Sequence, residues 1–302
     1  MAPLYDSHRR ALRVGVDRGV SLKSGVIEAL PYSISRWTDV PIAKWSWFLA
    51  QLDQGWMQAF DPRKAMPYRW SLVPQDVLGL IFWTKNPAAI LGDLDRLRAY
   101  RLRVHVTITG WTEAEPGAPD PVDVSGRTAD LAEAIGWDHV VWRFSPVPVV
   151  PDALDRFERV GRVLAGRGCR EVYLAFIQNN DMMRDGRAPT ERVRLMRQMA
   201  AMADGWGLKV VLCNEDSTLQ GVDPLPRNLM TGVCENALTF GLTPNPDALE
   251  GCGCALSVDP FTVNESCPLG CRYCYAADRS LSPNRRDTTS LPVLAGGLRH
   301  GE

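Results

Sequence analysis

Lysine and histidine are scarce in this chain of 302 residues: the histidines are four (His8, His105, His139 and His300), and almost all the basic residues are arginine. Formal net charge is −1, so composition implies no polyanion-binding surface and argues against a nucleic-acid partner. No apolar run approaches the roughly 20 residues of a membrane span, and no secretory apolar segment opens the chain. Eight cysteines are too few for a disulfide framework at this length. The expected location is the reducing cytoplasm, with no membrane partner. What is present is a hydrophobic content of 45%, enough for a sizeable buried core in one large domain or a barrel.

From about Gly25 to Asn214 short apolar runs alternate with amphipathic stretches. The pattern predicts strands at Val26–Ser33, Val77–Thr84, Val104–Thr109, Val140–Phe144, Glu171–Ile177 and Val210–Leu212. Helices are expected at Ile42–Gln54, Pro87–Tyr100, Ser125–Ile135, Asp152–Arg167 and Thr190–Gly205. Asn86 before Pro87, and Thr190 before Glu191, read as helix starts; Gly136, Gly166–Gly168 and Gly205–Gly207 read as stops. Six β-then-α units argue for a parallel sheet with helical crossovers, read as an α/β, partial (β/α)6 TIM-like barrel. A flavodoxin-like fold or a full eight-unit barrel stays open, although no glycine-rich phosphate loop follows the first strand. The expected division is an N-terminal arm or short helix over 1–24, the barrel over 25–214, and a cysteine-rich segment and tail over 215–302. Loop Thr112–Val124, acidic and proline-bearing, reads as a solvated lid edge.

The most informative stretch is Cys267-Pro-Leu-Gly-Cys271-Arg-Tyr-Cys274. Three thiolates on one short loop can hold three irons of a 4Fe-4S cluster and leave the fourth open for S-adenosylmethionine (SAM). This CxxxCxxC spacing resembles that of the radical SAM superfamily, and Tyr273 extends the resemblance. The competing reading is zinc, but structural zinc usually takes four ligands and no histidine stands near the triplet. Cys213, Cys234, Cys252 and Cys254 form a candidate auxiliary site, with a second 4Fe-4S cluster ahead of zinc. Cys169 reads as structural.

Predicted strand ends carry dense polar residues, where a parallel barrel gathers reacting groups. SAM's carboxylate would suit Arg143 or Lys85, and its ammonium and ribose would suit Thr109, Gln178, Asn214 and Glu215. Asn86 and Tyr273 complete the candidate cofactor set, and Trp83, Phe144 and Tyr275 could stack on adenine. Arg36 and Asp39 read as a loop-fixing ion pair, Asp39 also as a helix cap, and Trp37, Trp45 and Trp47 as packing.

The segments Ser35–Pro41, Phe82–Pro87, Thr107–Gly110, Trp142–Arg143, Cys252–Cys254 and Cys267–Cys274 together resemble the bacterial domain-of-unknown-function 1848 family. The resemblance spans about residues 30 to 278. Val40 stands where isoleucine is usual, and Phe144-Ser145-Pro146 where Tyr-Asp-Pro is common, so no acid is expected at position 145. The resemblance implies a radical-SAM-like protein whose cluster loop lies at the C-terminal end; the family label carries no reaction. The expected function is reductive SAM cleavage that starts radical chemistry on a small-molecule or nucleoside-like substrate. The electron donor would be of the flavodoxin or ferredoxin kind. Alternatives are aminocarboxypropyl transfer from SAM, a zinc-stapled barrel binding a nucleotide or nucleic acid, and an iron–sulfur scaffold or sensor without turnover.

Overall fold

Seven short segments rich in β-branched and aromatic side chains lie side by side in the order they occur along the chain. In this computed structural model they are β1 (Pro31–Ser33), β2 (Gly79–Thr84), β3 (Leu102–Thr107), β4 (Val140–Val147), β5 (Glu171–Phe176), β6 (Lys209–Leu212) and β7 (Leu229–Thr231). Every neighbouring pair is parallel, so the fold is mixed α/β. The structure describes residues 4–5, 11–12, 20–23, 26–61, 66–176, 189–213, 224–231, 240–241, 257–258, 267–274 and 276.

The helices are α1 (Val40–Ala43), α2 (Trp45–Gln54), α3 (Ala88–Gly92), α4 (Leu94–Leu97), α5 (Pro121–Ile135), α6 (Ala153–Gly166) and α7 (Pro189–Gly205). Parallel neighbours need crossovers, and right-handed crossovers that all step one way put their helices on one face of the sheet. That face is apolar: Phe82, Val104, Trp142, Val172 and Leu212 are fully or almost fully buried with Phe157 and Met199 of the helices. Phe157 stacks on Trp142 at 5.1 Å and on Trp206 at 5.7 Å. A Cβ on Gly161 would lie 2.2 Å from the Trp206 ring, so only glycine lets α6 approach this closely.

Period-two alternation sends the intervening residues to the opposite face. Register pairs Trp83 with His105 and Arg143 with both Thr107 and Tyr173. A parallel sheet is usually apolar on both faces. Here one face sets Trp83, His105 and Arg143 beside the buried cluster of Val141, Tyr173 and Val211.

All six predicted strands contribute to the sheet, with one division. Val26–Ala29 pairs antiparallel with Val20–Lys23, and only Pro31–Ser33 of the predicted first strand joins the parallel array. The N-terminal arm carries short strands where a helix was an option: Leu4–Tyr5 pairs with Ala11–Leu12. The Trp56–Asp61 and Met66–Ser71 hairpin was not anticipated; it follows Gly55, whose φ of 76° ends α2. The predicted helix Pro87–Tyr100 breaks at Asp93, whose carboxylate accepts from Trp45 Nε1 at 2.8 Å. Thr190 lies inside α7, which begins one residue earlier at Pro189.

Two additions come from the segment expected to be cysteine-rich and without core. β7 extends the sheet beyond β6, and Val258 extends it beyond β1, with Ser33 N–H donating to Val258 O at 2.8 Å and Val258 N–H to Pro31 O at 2.9 Å. Among the described residues no ladder joins β7 to β1. No helix among them is long and apolar enough to cross a membrane.

Candidate functional site

β2 ends at Thr84, and the chain turns there under the direction of Asp39, the residue before α1. Asp39 Oδ1 accepts from the Ile42 N–H at 3.2 Å and the Thr84 hydroxyl at 2.8 Å; Oδ2 accepts the Lys85 N–H at 2.8 Å. Burial pushes the Asp39 carboxyl up to about 6 even against these three bonds and the Lys85 charge. Asp39 therefore caps α1 and aims Lys85, the capping role expected of it, while Arg36 reaches towards Ser257 at 3.5 Å.

Lys85 meets a carboxylate from the loop after β3. Its Nζ stands 2.8 Å from Glu115 Oε1, and the side chains are 9% and 4% exposed. The ammonium carries three donors, and beyond this charge contact it completes no hydrogen bond of good geometry among the described residues. The Thr109 hydroxyl donates to the same carboxylate oxygen at 2.7 Å, and the Tyr273 hydroxyl donates to it as well. A cavity of ≈ 10 Å³, about one water, lies beside them against Thr107, Trp111 and Val124. The expectation of a solvated lid edge over Thr112–Val124 holds for Thr112, Glu113, Pro116 and Asp120, which are exposed, and is corrected for Glu115, which is buried where the loop docks the cysteines. A partner more than a hundred residues away turns that one acid inward.

That partner is the loop Cys267–Cys274. Gly117 N–H donates to Leu269 O at 3.0 Å and Arg272 N–H to Ala114 O at 2.8 Å. A Cβ on Gly117 would lie 2.6 Å from Pro268 O and 2.8 Å from Leu269 Cα, so the contact requires glycine. The Tyr273 ring stacks on Trp111 at 5.9 Å, and Lys85 Nζ lies 5.6 Å from the same ring centre.

Cys267, Cys271 and Cys274 are free, half-buried thiols at this edge. Burial raises Cys267, while main-chain N–H groups of Leu269 and Asp39 directed at its sulfur favour the thiolate. Burial pushes Cys271 up to about 11; Lys85 opposes that shift, and Glu115 with the other two thiols reinforces it. Tyr273 is held well above the ordinary phenol range by burial, then by Glu115 and Cys271. The three sulfurs thus feel one another electrostatically. Among the described residues, no group of three histidine, cysteine or acid side chains is arranged around a single metal ion.

Below this edge, on the polar face of the sheet, Trp83 Nε1 donates to Ser33 Oγ at 3.0 Å. The Trp83 ring carries the His105 imidazole stacked at 4.2 Å and the Arg143 guanidinium carbon at 4.8 Å. Tyr173 meets His105 edge-on at 6.1 Å. Arg103, fully buried beneath, pairs with Glu171 at 3.1 Å.

Of the cofactor candidates, the fold brings Lys85, Thr109 and Tyr273 together and sets Arg143 one layer lower. Asn86 spends its carbonyl oxygen on the Ala88 N–H at 3.1 Å, with Arg127 at 3.4 Å; it stands one residue before Pro87, which takes the N-cap place expected of Asn86. Phe144 is corrected: it is fully buried on the helix side, edge-on to Phe157 at 5.2 Å, because alternation in β4 sends it opposite to Arg143. Gln178, Asn214, Glu215, Tyr275, Cys234, Cys252 and Cys254 lie outside the described residues. Cys213 is buried at the end of β6 and disulfide-bonded. Cys169 is buried, its thiol pushed up to about 12 by burial, and donates to Glu171 O at 3.3 Å, as a structural thiol does. Sequence reasoning missed Glu115 and Trp111; the only signal was their place just after Thr109-Gly110.

Among curated proteins no relative matches the chain. A family model does, over residues 32–276, a span that takes in the strand-end segments and the cysteine loop alike. The chain belongs to the family described as Domain of unknown function (DUF1848).

Proposed function

We propose that this protein is a radical SAM enzyme, with Cys267, Cys271 and Cys274 the ligands of a 4Fe-4S cluster at the carboxyl edge of a partial (β/α) barrel. The observation that carries the reading is the docking of the cysteine loop, through Gly117 and Ala114, onto the ends of β2 and β3 beside Lys85 and Glu115. The donor set suits the group: three thiols on one loop, N–H groups at Cys267, and a cation beside Cys271.

Bound there by Cys267, Cys271 and Cys274, such a cluster would supply the single electron that reductive cleavage of the SAM sulfonium needs. The chain's own residues do the rest. Lys85 has donor capacity left to take a carboxylate oxygen of SAM, and Glu115, shared with Thr109 and Tyr273, offers an anionic acceptor for its ammonium. Tyr273 on Trp111 closes the edge with aromatic surface and keeps water from the reacting groups. The proposed cytoplasmic location follows from the need for reduced thiols.

The test is anaerobic reconstitution with iron and sulfide, followed by SAM and dithionite. The expected result is a brown protein and 5′-deoxyadenosine; methylthioadenosine instead would move the reaction to aminocarboxypropyl transfer. Protein that takes up stoichiometric zinc and no iron refutes the reading.

A further inference from the structure

The Asp39 carboxylate is buried, and the bonds it accepts come from the chain itself: the Ile42 N–H and the Thr84 hydroxyl on Oδ1, the Lys85 N–H on Oδ2. Capping explains the first of these and no more. α1 is four residues long, and a serine or asparagine at position 39 would cap it as well. The other two bonds reach 45 and 46 residues along the chain, to the end of β2. A buried carboxylate is a costly group to use for a cap alone, so its purpose lies in what those two bonds hold.

They lead to the cysteine loop from two sides. On one side the Asp39 main-chain N–H is directed at the sulfur of Cys267, the first cysteine. On the other, Oδ2 holds Lys85 by its N–H, and Lys85 Nζ meets Glu115 Oε1 at 2.8 Å. Glu115 in turn accepts from the hydroxyl of Tyr273, the residue before the last cysteine. This relay is stiff: the Lys85 and Glu115 side chains are buried, and an ammonium that left Glu115 would lose its counter-charge. Main-chain bonds from Gly117 to Leu269 and from Arg272 to Ala114 fasten the middle of the loop. Asp39 is what its first cysteine and its tyrosine have in common.

We infer that Asp39 is a positioning residue that holds Cys267 and Lys85 in register, so that the cluster-binding loop and the cation for SAM's carboxylate keep a fixed relation to each other. The inference deepens the proposed function and rests on it for the words cluster and SAM; the tie between Asp39 and the loop does not. Asp39 acts through the chain, by its own main chain towards Cys267 and by Lys85 towards Glu115. Asparagine has the same shape, but one of its arms is an NH2 that cannot accept. In Asp39→Asn either the Lys85 N–H or the donors on Oδ1 lose their acceptor, and the turn that carries Lys85 relaxes.

The experiment compares the full-length parent with Asp39→Asn and with Cys169→Ala, a buried thiol whose loss costs stability alone. Amide exchange at Gly117 and Arg272, measured without metal and relative to the amides of β3 and β4, is expected to quicken about tenfold or more in Asp39→Asn, the loss of a charge-assisted bond. Cys169→Ala should keep the parental ratio. After reconstitution with iron and sulfide, Asp39→Asn should retain iron and show a more negative reduction potential, because an N–H at the Cys267 sulfur is displaced. Its KM for SAM should rise more than its kcat falls. Parental exchange at Gly117 and Arg272 in Asp39→Asn, or a parental potential and KM, overturns the inference. Should Asp39→Asn not fold, Thr84→Val removes one donor from the same carboxylate: the same amides should quicken, with Thr84→Ser like the parent, and parental exchange in Thr84→Val overturns the inference equally. A parent that takes up no iron, with the exchange difference intact, would sink the cluster reading and leave the tie between Asp39 and the loop standing.

Discussion

Gly117 and Pro268 touch so closely that no side chain fits between them: a Cβ at Gly117 would stand 2.6 Å from Pro268 O. This contact, with its two flanking main-chain hydrogen bonds, fixes the cysteine loop to the body of the protein. Both partners at the clash are backbone, so neither can swing aside. Gly117→Ala is expected to cost about 1–3 kcal/mol of overpacking and to unseat the loop. Iron bound per chain after reconstitution should fall while far-ultraviolet circular dichroism keeps its shape. Parental iron loading in Gly117→Ala would show that the loop does not need this dock.

The buried pair Lys85–Glu115 predicts a non-additive mutant cycle. Glu115→Gln leaves a buried ammonium without its counter-charge, and losing one partner of such a pair costs about 3–5 kcal/mol. Lys85→Met combined with Glu115→Gln should recover much of that loss. Urea unfolding of the two single variants and the double one measures the coupling; simple addition of the single effects would show that the 2.8 Å contact carries no energy.

The cysteines should separate by role. Cys271→Ser or Cys267→Ser is expected to lower iron content and to abolish 5′-deoxyadenosine formation. Cys169→Ala, on a thiol buried against Glu171, should keep iron and lose only stability, about 1–2 kcal/mol. Equal iron loss in all three variants would point to general unfolding.

Acid should loosen the loop that carries Glu115. Arg156 bonds Gly110 O at 2.7 Å, Glu113 at 2.9 Å and Asp152 at 2.7 Å, tying α6 to the turn after β3. The Arg156 bond holds Glu113 at about 2, down from 4.5, and lowers Asp152 in the same way. Depressed carboxylates contribute stability that is present above their unfolded values and lost as pH falls through the folded ones. Hydrogen exchange at 110–115 should accelerate between about pH 4 and pH 2, and Glu113→Gln should remove most of that acid dependence. A loop equally protected at both ends of this range would refute the tie.

Much of the sheet was legible because its strands are short apolar runs bounded by glycine and proline, and burial on the helix face forces that pattern. Val104, Val140, Val172 and Val210 announce themselves in this way. The hairpin over 56–71 and the strand Leu229–Thr231 were not legible: the first pairs outside the main sheet, and the second is three residues whose strand character comes from β6 beside it.

By itself the amino-acid sequence determined the parallel alternation of strands and helices, the cysteine spacing, and the polar residues at strand ends. Each of these is a local matter of periodicity, turn chemistry and ligand spacing. Only the tertiary structure decided that Glu115 is buried under Tyr273, that Phe144 faces the helices while Arg143 faces the opposite side, and that His105 shares a tryptophan face with Arg143. Contacts between residues as far apart as 115 and 273 depend on which loops the sheet order brings to one edge, and no local pattern encodes that meeting.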